Sequence, residues 1–235
     1  MRGRENIGVL FSGGKDSSYV AYKIAKDPRF RLSCLITVIP SDPDSFLLHH
    51  VNAHWTSLQA KSMEVGHIIA QSSRNDEKEV LLNALEKAKK EFKINGIATG
   101  GILSRYQYKE FRELVSKVGL RYVSPIWLVN QENYLLQLYK EGFKIMMVKV
   151  AALGLDERWL GRILDLKAIN ELIELSKKYQ FNPSLEGGEG ETFVLDMPLF
   201  KKEIKVLKGE RIWMGDRGVY IIKRAILVDK NVRRA

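Results

Sequence analysis

The run Ser12-Gly13-Gly14-Lys15-Asp16-Ser17 follows a short apolar stretch at residues 7–11 and precedes a helical pattern at residues 18–26. A strand, a glycine turn and a helix start, in that order, point to an α/β fold with an anion site at the turn. Backbone N–H groups point outward there, and glycines let phosphate oxygens approach the main chain. Lys15 adds a point charge, and Ser12 and Ser17 add hydroxyl donors. The loop is expected to hold a polyphosphate. A bare strand-to-helix turn would need neither two adjacent glycines nor two flanking serines. The common G-x-x-x-x-G-K-[ST] pattern fails, because Val9 stands at its first glycine and Asp16 follows the lysine. The dinucleotide fingerprint G-x-G-x-x-G is also absent.

The first half of the chain alternates strand-like runs with helix-like ones. Strands are expected at 7–11, 32–39, 67–70 and 96–99, and helices at 18–26, 52–64, 76–92 and 105–118. That alternation implies a parallel sheet with crossover helices. Ligands of such sheets sit beyond the carboxyl ends of the strands. The glycine loop, residues 41–54 and the turn Gly100-Gly101 all fall at that edge. The second half is less regular. Helices are expected at 131–141 and 164–179, and strands at 143–150, 193–195, 204–207, 211–214 and 219–228. A composition break near Pro125 divides residues 1–125, a nucleotide domain, from residues 126–235, a mixed α+β domain expected to hold the substrate.

No apolar run is long enough to cross a bilayer, and the N-terminus lacks the plan of a signal peptide. The single cysteine, Cys34, lies in an apolar stretch. It excludes an internal disulfide and any cysteine-based zinc cluster, and it reads as a small buried hydrophobe in a reducing cytoplasm. The net charge of +10 suits an acidic partner or a polyanionic substrate. Its lysines and arginines, including Arg233 and Arg234, read mostly as solvated faces. No aromatic residues are interleaved with them in an RNA-module pattern, so direct nucleic-acid binding is not expected.

A second signal lies at Glu186-Gly187-Gly188-Glu189-Gly190-Glu191-Thr192. Three carboxylates on a glycine-rich backbone repel one another unless a cation or hydrogen-bond donors answer them. A metal ion, a cationic substrate group or an incoming ammonium would serve. A solvated surface loop is the plain alternative.

The glycine loop resembles the S-G-G-x-D-S loop of the N-type ATP pyrophosphatases, the PP-loop enzymes, whose fold is of the adenine nucleotide α-hydrolase kind. Residues 186–200, E-G-G-E-G-E-T-F-V-L-D-x-P-L-F, resemble the signature of one PP-loop family, the diphthine–ammonia ligases. Gly101-Ile102-Leu103-Ser104 with Tyr106-Gln107 is similar to that family's G-x-I-L-S-x-Y-Q segment. Residues 149–155 resemble its K-V-A-A-L-G-L segment, and His50, Asn52 and His54 with Leu58-Gln59-Ala60 resemble another. Arg105 departs from the pattern, where an acidic residue is expected.

The resemblance implies ATP-dependent amidation of diphthine on elongation factor 2. The diphthine carboxylate attacks the α-phosphate of ATP, pyrophosphate leaves, and ammonia displaces AMP. It implies ATP contacts at Ser12, Gly13, Gly14, Lys15, Asp16, Ser17, Ser18, Gly100 and Gly101. Asp16 and Lys15 would carry catalysis, and Asp16 would help place Mg²⁺. Substrate contacts would come from residues 186–192 with Tyr106 and Gln107. These 235 residues leave no room for a glutaminase domain, so ammonium is expected to be taken up free, and a lone buried thiol argues against sulfur transfer. A homodimer is admitted, since the sequence leaves oligomeric state open.

His49, His50, His54 and His67 invite a metal centre, but no nearby carboxylate completes a zinc set. Of Trp55, Trp127, Trp159 and Trp213, Trp127 is preferred as an aromatic face for the quaternary ammonium of diphthine. Two rival functions remain. One is a PP-loop adenylating ligase acting on tRNA or another small carboxylate. The other is an ATP-binding scaffold that has lost its chemistry.

Overall fold

The computed structural model describes residues 3–41, 48, 51–73 and 76–230. Its contacts divide the chain into two units. The first holds the residues up to Thr56 together with Val65–Val129. The second holds Ser57–Glu64 and the residues from Asn130 on.

The first unit is built on five parallel strands, β1 (Glu5–Leu10), β2 (Phe30–Ile39), β3 (Gly66–Gln71), β4 (Gly96–Ala98) and β5 (Arg121–Val123). Their order is β3-β2-β1-β4-β5. The α/β sheet with crossover helices expected from the sequence therefore forms. Helices α1 (Lys15–Lys26), α3 (Glu77–Phe92) and α4 (Arg105–Lys117) connect its strands. On α3 the spacing of Leu81, Ala84, Leu85 and Ala88 makes one apolar stripe. That stripe packs with Leu114 and Val115 of α4 over Cys34, Ile36 and Ile97 of the sheet. The chain runs outward from β1 through β2 to β3, then returns to place β4 on the other side of β1. The crevice between the carboxyl ends of β1 and β4 is thus a topological switch point, where open α/β sheets bind ligands.

The second unit has a four-stranded antiparallel sheet. It is formed by β6 (Lys144–Val150), β7 (Gly190–Asp196), β8 (Lys202–Trp213) and β9 (Gly218–Asp229), in the order β7-β6-β9-β8. Helix α5 (Gln131–Lys140) contacts α6 (Leu166–Tyr179). Asp165 accepts the Ala168 N–H and starts α6 two residues later than the apolar pattern suggests.

Helix α2 (Thr56–Met63) follows a short 3-10 turn, Ala53–Trp55, because Asn52 adopts a left-handed conformation (φ 62°) that breaks the helix expected from residue 52. From Ser57 on, its residues belong to the second unit. The Gln59 amide donates to the Val194 carbonyl at 2.7 Å, and Ser62 Oγ accepts the Lys202 N–H at 3.1 Å. The single break near Pro125 does not capture this excursion. The two short strands expected at 204–207 and 211–214 are one long strand. Register shifts at Val206–Gly209 interrupt its apolar alternation, and Gly209 leaves room for the Tyr220 ring lying over it.

Candidate active site

The glycine loop lies at the carboxyl end of β1. Helix α1 begins at Lys15, so Lys15, Asp16 and Ser17 form its first turn, with Gly14 as N-cap. Gly13 has φ +80°, a conformation that favours glycine. The first intrahelical bond runs from the Ser18 N–H to the Gly14 carbonyl, and the positive end of the helix dipole faces the loop.

The serines brace this loop from within. The Ser12 N–H donates to Ser17 Oγ at 3.2 Å, the two hydroxyl oxygens lie 3.1 Å apart, and Ser17 Oγ donates to the Gly14 carbonyl at 3.3 Å. Lys15 is only 3% exposed, and its Nζ lies 2.7 Å from Asp16 Oδ2. Ser18 is fully buried, and its hydroxyl has no hydrogen-bond partner among the described residues.

Strand β4 pairs with β1, with Val9 opposite Ala98, and so delivers Thr99, Gly100 and Gly101 beside the loop. A Cβ at Gly100 would stand 2.8 Å from both the Asp16 carbonyl carbon and the Ser17 nitrogen. Only glycine lets the two segments meet this closely. A Cβ at Gly101 would meet nothing within 4 Å. Next along, Ser104 caps α4 by accepting the Gln107 N–H at 3.3 Å. Tyr106 is 54% exposed on the first turn of that helix. Arg105 puts a cation at the positive end of α4, whose first turn has no acid to oppose it.

An aromatic trio stands in the same unit. Trp127 lies against Tyr108, with ring centroids 4.6 Å apart, and Tyr108 meets Tyr122 edge-on at 5.2 Å. The Tyr122 hydroxyl is 2.6 Å from Thr99 Oγ1, one residue before Gly100. Burial pushes the Tyr122 phenol up. Sequence reasoning singled out Trp127 and passed over Tyr108 and Tyr122. An aromatic at 108, one turn beyond the Ser104 cap and next to the helix's polar face, was the available signal.

In the second unit the acidic run forms a turn that leads into β7, and its charges are answered largely from inside. Glu189 folds back, with Oε2 accepting the Gly187 N–H at 2.6 Å and Oε1 accepting the Asn182 N–H at 3.0 Å. A Cβ at Gly187 would fall 2.6 Å from that carboxylate, and one at Gly190 would fall 2.6 Å from the Lys149 carbonyl oxygen. Gly188 turns the chain with φ +90°. Glu191 pairs with Lys149 at 3.3 Å. Glu186 is half-buried and Thr192 is buried. Lys149 is therefore the cation that the sequence reading lacked. Its trace was the one charge that interrupts the apolar run at 145–155.

The other candidates have plainer places. His54 lies against Trp55, at 5.1 Å between ring centroids, while His49 and His50 lie outside the described residues, as does most of the segment 41–54. His67 Nε2 lies 2.9 Å from Thr37 Oγ1, and burial lowers its pKa to about 4. Cys34 is fully buried, and burial pushes its thiol up to about 12, which makes it inert. No helix among the described residues is long and apolar enough to cross a membrane.

Comparison with known proteins matches both halves. The diphthamide synthase N-terminal domain matches residues 5–122, and the diphthamide synthase C-terminal domain matches residues 130–228. A protein named diphthine–ammonia ligase from Mus musculus is 33% identical over 228 residues, covering 88% of this chain and 84% of that protein. Its namesake from Homo sapiens is 33% identical over 225 residues, covering 87% and 84%. Among solved structures, a protein described as a predicted subunit of tRNA methyltransferase from Methanocaldococcus jannaschii aligns at 20% identity. Its TM-score is 0.44, over 82% of this chain and 98% of that one. That likeness is too slight to carry an argument. The two domain matches and the long alignments agree with the order of motifs along the sequence, and the chain belongs to the diphthamide synthase family of carbon–nitrogen ligases.

Proposed function

We propose that this protein amidates the diphthine carboxylate on elongation factor 2 through an acyl-adenylate. Family membership supports the coarser statement, ATP-dependent amidation in diphthamide synthesis on a protein substrate. The observation that carries the adenylating route is the glycine loop at the N-terminus of α1, closed against Gly100 at the switch point of a parallel sheet.

A carboxylate oxygen attacks the α-phosphorus of ATP, the α–β phosphoanhydride bond breaks, and pyrophosphate leaves. Ammonia then attacks the acyl carbon, the bond to AMP breaks, and one proton is lost. The main chain of residues 12–18 would receive the departing pyrophosphate, helped by the helix dipole and by Lys15. The hydroxyls of Ser12 and Ser17, which brace the loop, would turn to the phosphates. Gly100 and Gly101 would line the nucleotide. The Asp16 carboxylate, at 19% side-chain exposure, is the group suited to hold Mg²⁺, which would neutralise phosphate charge. Residues 186–192, Tyr106 and Gln107 would take the diphthine side chain and ammonium, and Trp127 its quaternary ammonium. In this reading residues 1–125 serve ATP and residues 126–235 the substrate. The setting is cytoplasmic, and a homodimer is compatible with it.

The test is AMP and pyrophosphate release with ATP and ammonium, supplied with diphthine-bearing elongation factor, bulk tRNA or neither. The factor alone is expected to support turnover. Asp16→Ala and Ser12→Ala are expected to abolish it in folded protein. ADP and orthophosphate as main products, or turnover driven by tRNA, would overturn the proposal.

A further inference from the structure

The β8–β9 ribbon carries charge that its own fold does not use. Residues 201–230 hold nine Lys or Arg against four Asp or Glu, which is half of the chain's net charge of +10. The four acids are engaged within the unit. Glu203 pairs with Lys144, Glu210 with Lys223, Asp216 with Arg217, and Asp229 with Lys202. Lys205, Lys208 and Arg224 are exposed, and none of them has an ion-pair partner among the described residues. Lys208 stands opposite Arg224 in the ladder. Like charges across a ladder destabilise it, so this pair works against the ribbon's own stability.

Apolar side chains stand among these cations. Lys205 is opposite Ile226, alternation along β9 puts Arg224 on the same face as that pair, and Leu207 is the unpaired residue of the bulge beside them, between Val206 and Lys208. Leu207 is 40% exposed and Ile226 42%, while Ile204 and Ala225, facing the other way, are buried. Lysines on an exposed ribbon discourage pairing with stray strands, but that role does not call for exposed leucine and isoleucine beside them. A nucleic-acid strand would be met by exposed aromatic rings. Trp213 and Tyr220 are half-buried, and Tyr220 lies against Gly161 and Gly209. Aliphatic side chains with cations around them match a protein interface, with an apolar centre and a polar rim.

We propose that the outward face of this ribbon, centred on Lys205, Leu207, Arg224 and Ile226, docks an acidic, partly apolar surface of the protein substrate. The inference rests on the reading that the substrate is protein-borne. It adds a recruiting surface distinct from the residues that handle the diphthine side chain. Charge on such a face acts mainly on association rate and salt dependence.

Two double variants test it, Lys205→Glu with Arg224→Glu and Leu207→Ser with Ile226→Ser, each checked by thermal melting. Binding of the elongation factor is measured directly by interferometry across a salt series, and amidation is measured separately. Binding is expected to weaken about tenfold or more in both variants, with the wild-type salt dependence flattened by charge reversal. The KM for ATP and for ammonium stays unchanged. Unchanged factor binding in the folded variants, or no binding by wild type, overturns the docking face. Two other results also overturn it. One is competition by bulk RNA that the charge variant relieves, and the other is a wild-type dimer that the serine variant splits. If wild type binds the factor through this face yet does not amidate it, docking stands and the proposed reaction fails.

Discussion

Lys149 and Glu191 face each other across the β6–β7 ladder, with Nζ 3.3 Å from Oε1 and side chains only 20% and 13% exposed. An opposite-charge pair placed directly across a ladder stabilises it. Removing one member leaves a mostly buried charge without its counter-ion, which costs more than the pair contributes. Lys149→Met is expected to lower stability by about 2 kcal/mol, less than for a fully buried pair because water reaches both groups. Adding Glu191→Gln should restore part of the loss. Urea titration of both singles and the double closes the cycle, and purely additive losses would show that the two groups do not interact.

Gly100→Ala tests the closure of the nucleotide loop. The added methyl meets backbone atoms of Asp16 and Ser17 at 2.8 Å, and backbone cannot swing aside as a long side chain would. Overpacking of this kind costs about 1–3 kcal/mol, and displacing the loop by a fraction of an ångström is expected to cut AMP formation about 10²-fold. Gly3→Ala, with open space at its Cβ and a place outside the nucleotide loop, serves as the control and should stay near wild type. Equal activity in the two variants would mean that the loop does not handle the nucleotide.

Features carried by local periodicity were legible in the sequence. Apolar runs parted by amphipathic helices announced the parallel sheet, and the glycines after residue 11 placed the loop at its first strand. What escaped notice depends on bonds between distant residues. Gln59 and Ser62 tie α2 to residues more than 130 positions away, and such bonds leave no periodic trace. Strand β5 spans three residues, too few to show a period. The acidic run was readable as a cluster of charge. That Glu189 turns onto the amides of Gly187 and Asn182, and that Lys149 answers Glu191, depends on strand register.

His67 links pH to stability at the base of the loop. Thr37 gives its hydroxyl proton to the Phe11 carbonyl at 2.7 Å, so it meets His67 Nε2 as an acceptor. Burial lowers the imidazole pKa from 6.5 to about 4. The folded state therefore binds this proton less readily than the unfolded chain does. The stability it contributes is complete above pH 6.5 and is lost as pH falls toward 4, by at most about 3.5 kcal/mol at roughly 1.4 kcal/mol per unit. Asp27, held at about 2 by Arg29, gives way only below its ordinary value of 3.8, outside this window. His67→Gln should flatten the decline between pH 6.5 and 4 in denaturation midpoints. A slope equal to that of wild type would assign the decline to other groups.

Glu189 separates a loop that holds ATP from one that serves the substrate. Its carboxylate accepts two backbone N–H groups and so fixes the turn that presents Glu186 and Glu191. Glu189→Gln keeps one acceptor oxygen and sets an amide NH₂ against a backbone N–H, which costs the bond and opens the turn. Lys149 answers Glu191, and the remaining excess of negative charge on the run repels triphosphate and attracts an ammonium or a quaternary ammonium. If the loop serves the substrate, the variant keeps ATP affinity within a few-fold, while amide formation falls about 10²-fold, the scale of losing one positioned electrostatic contact. Calorimetric titration of ATP and mass measurement of the elongation factor separate the two effects. Because the turn also shapes the fold, Glu191→Gln, which leaves the Glu189 bonds in place, should show the same split. ATP affinity that collapses in both variants would assign the loop to the nucleotide or its metal.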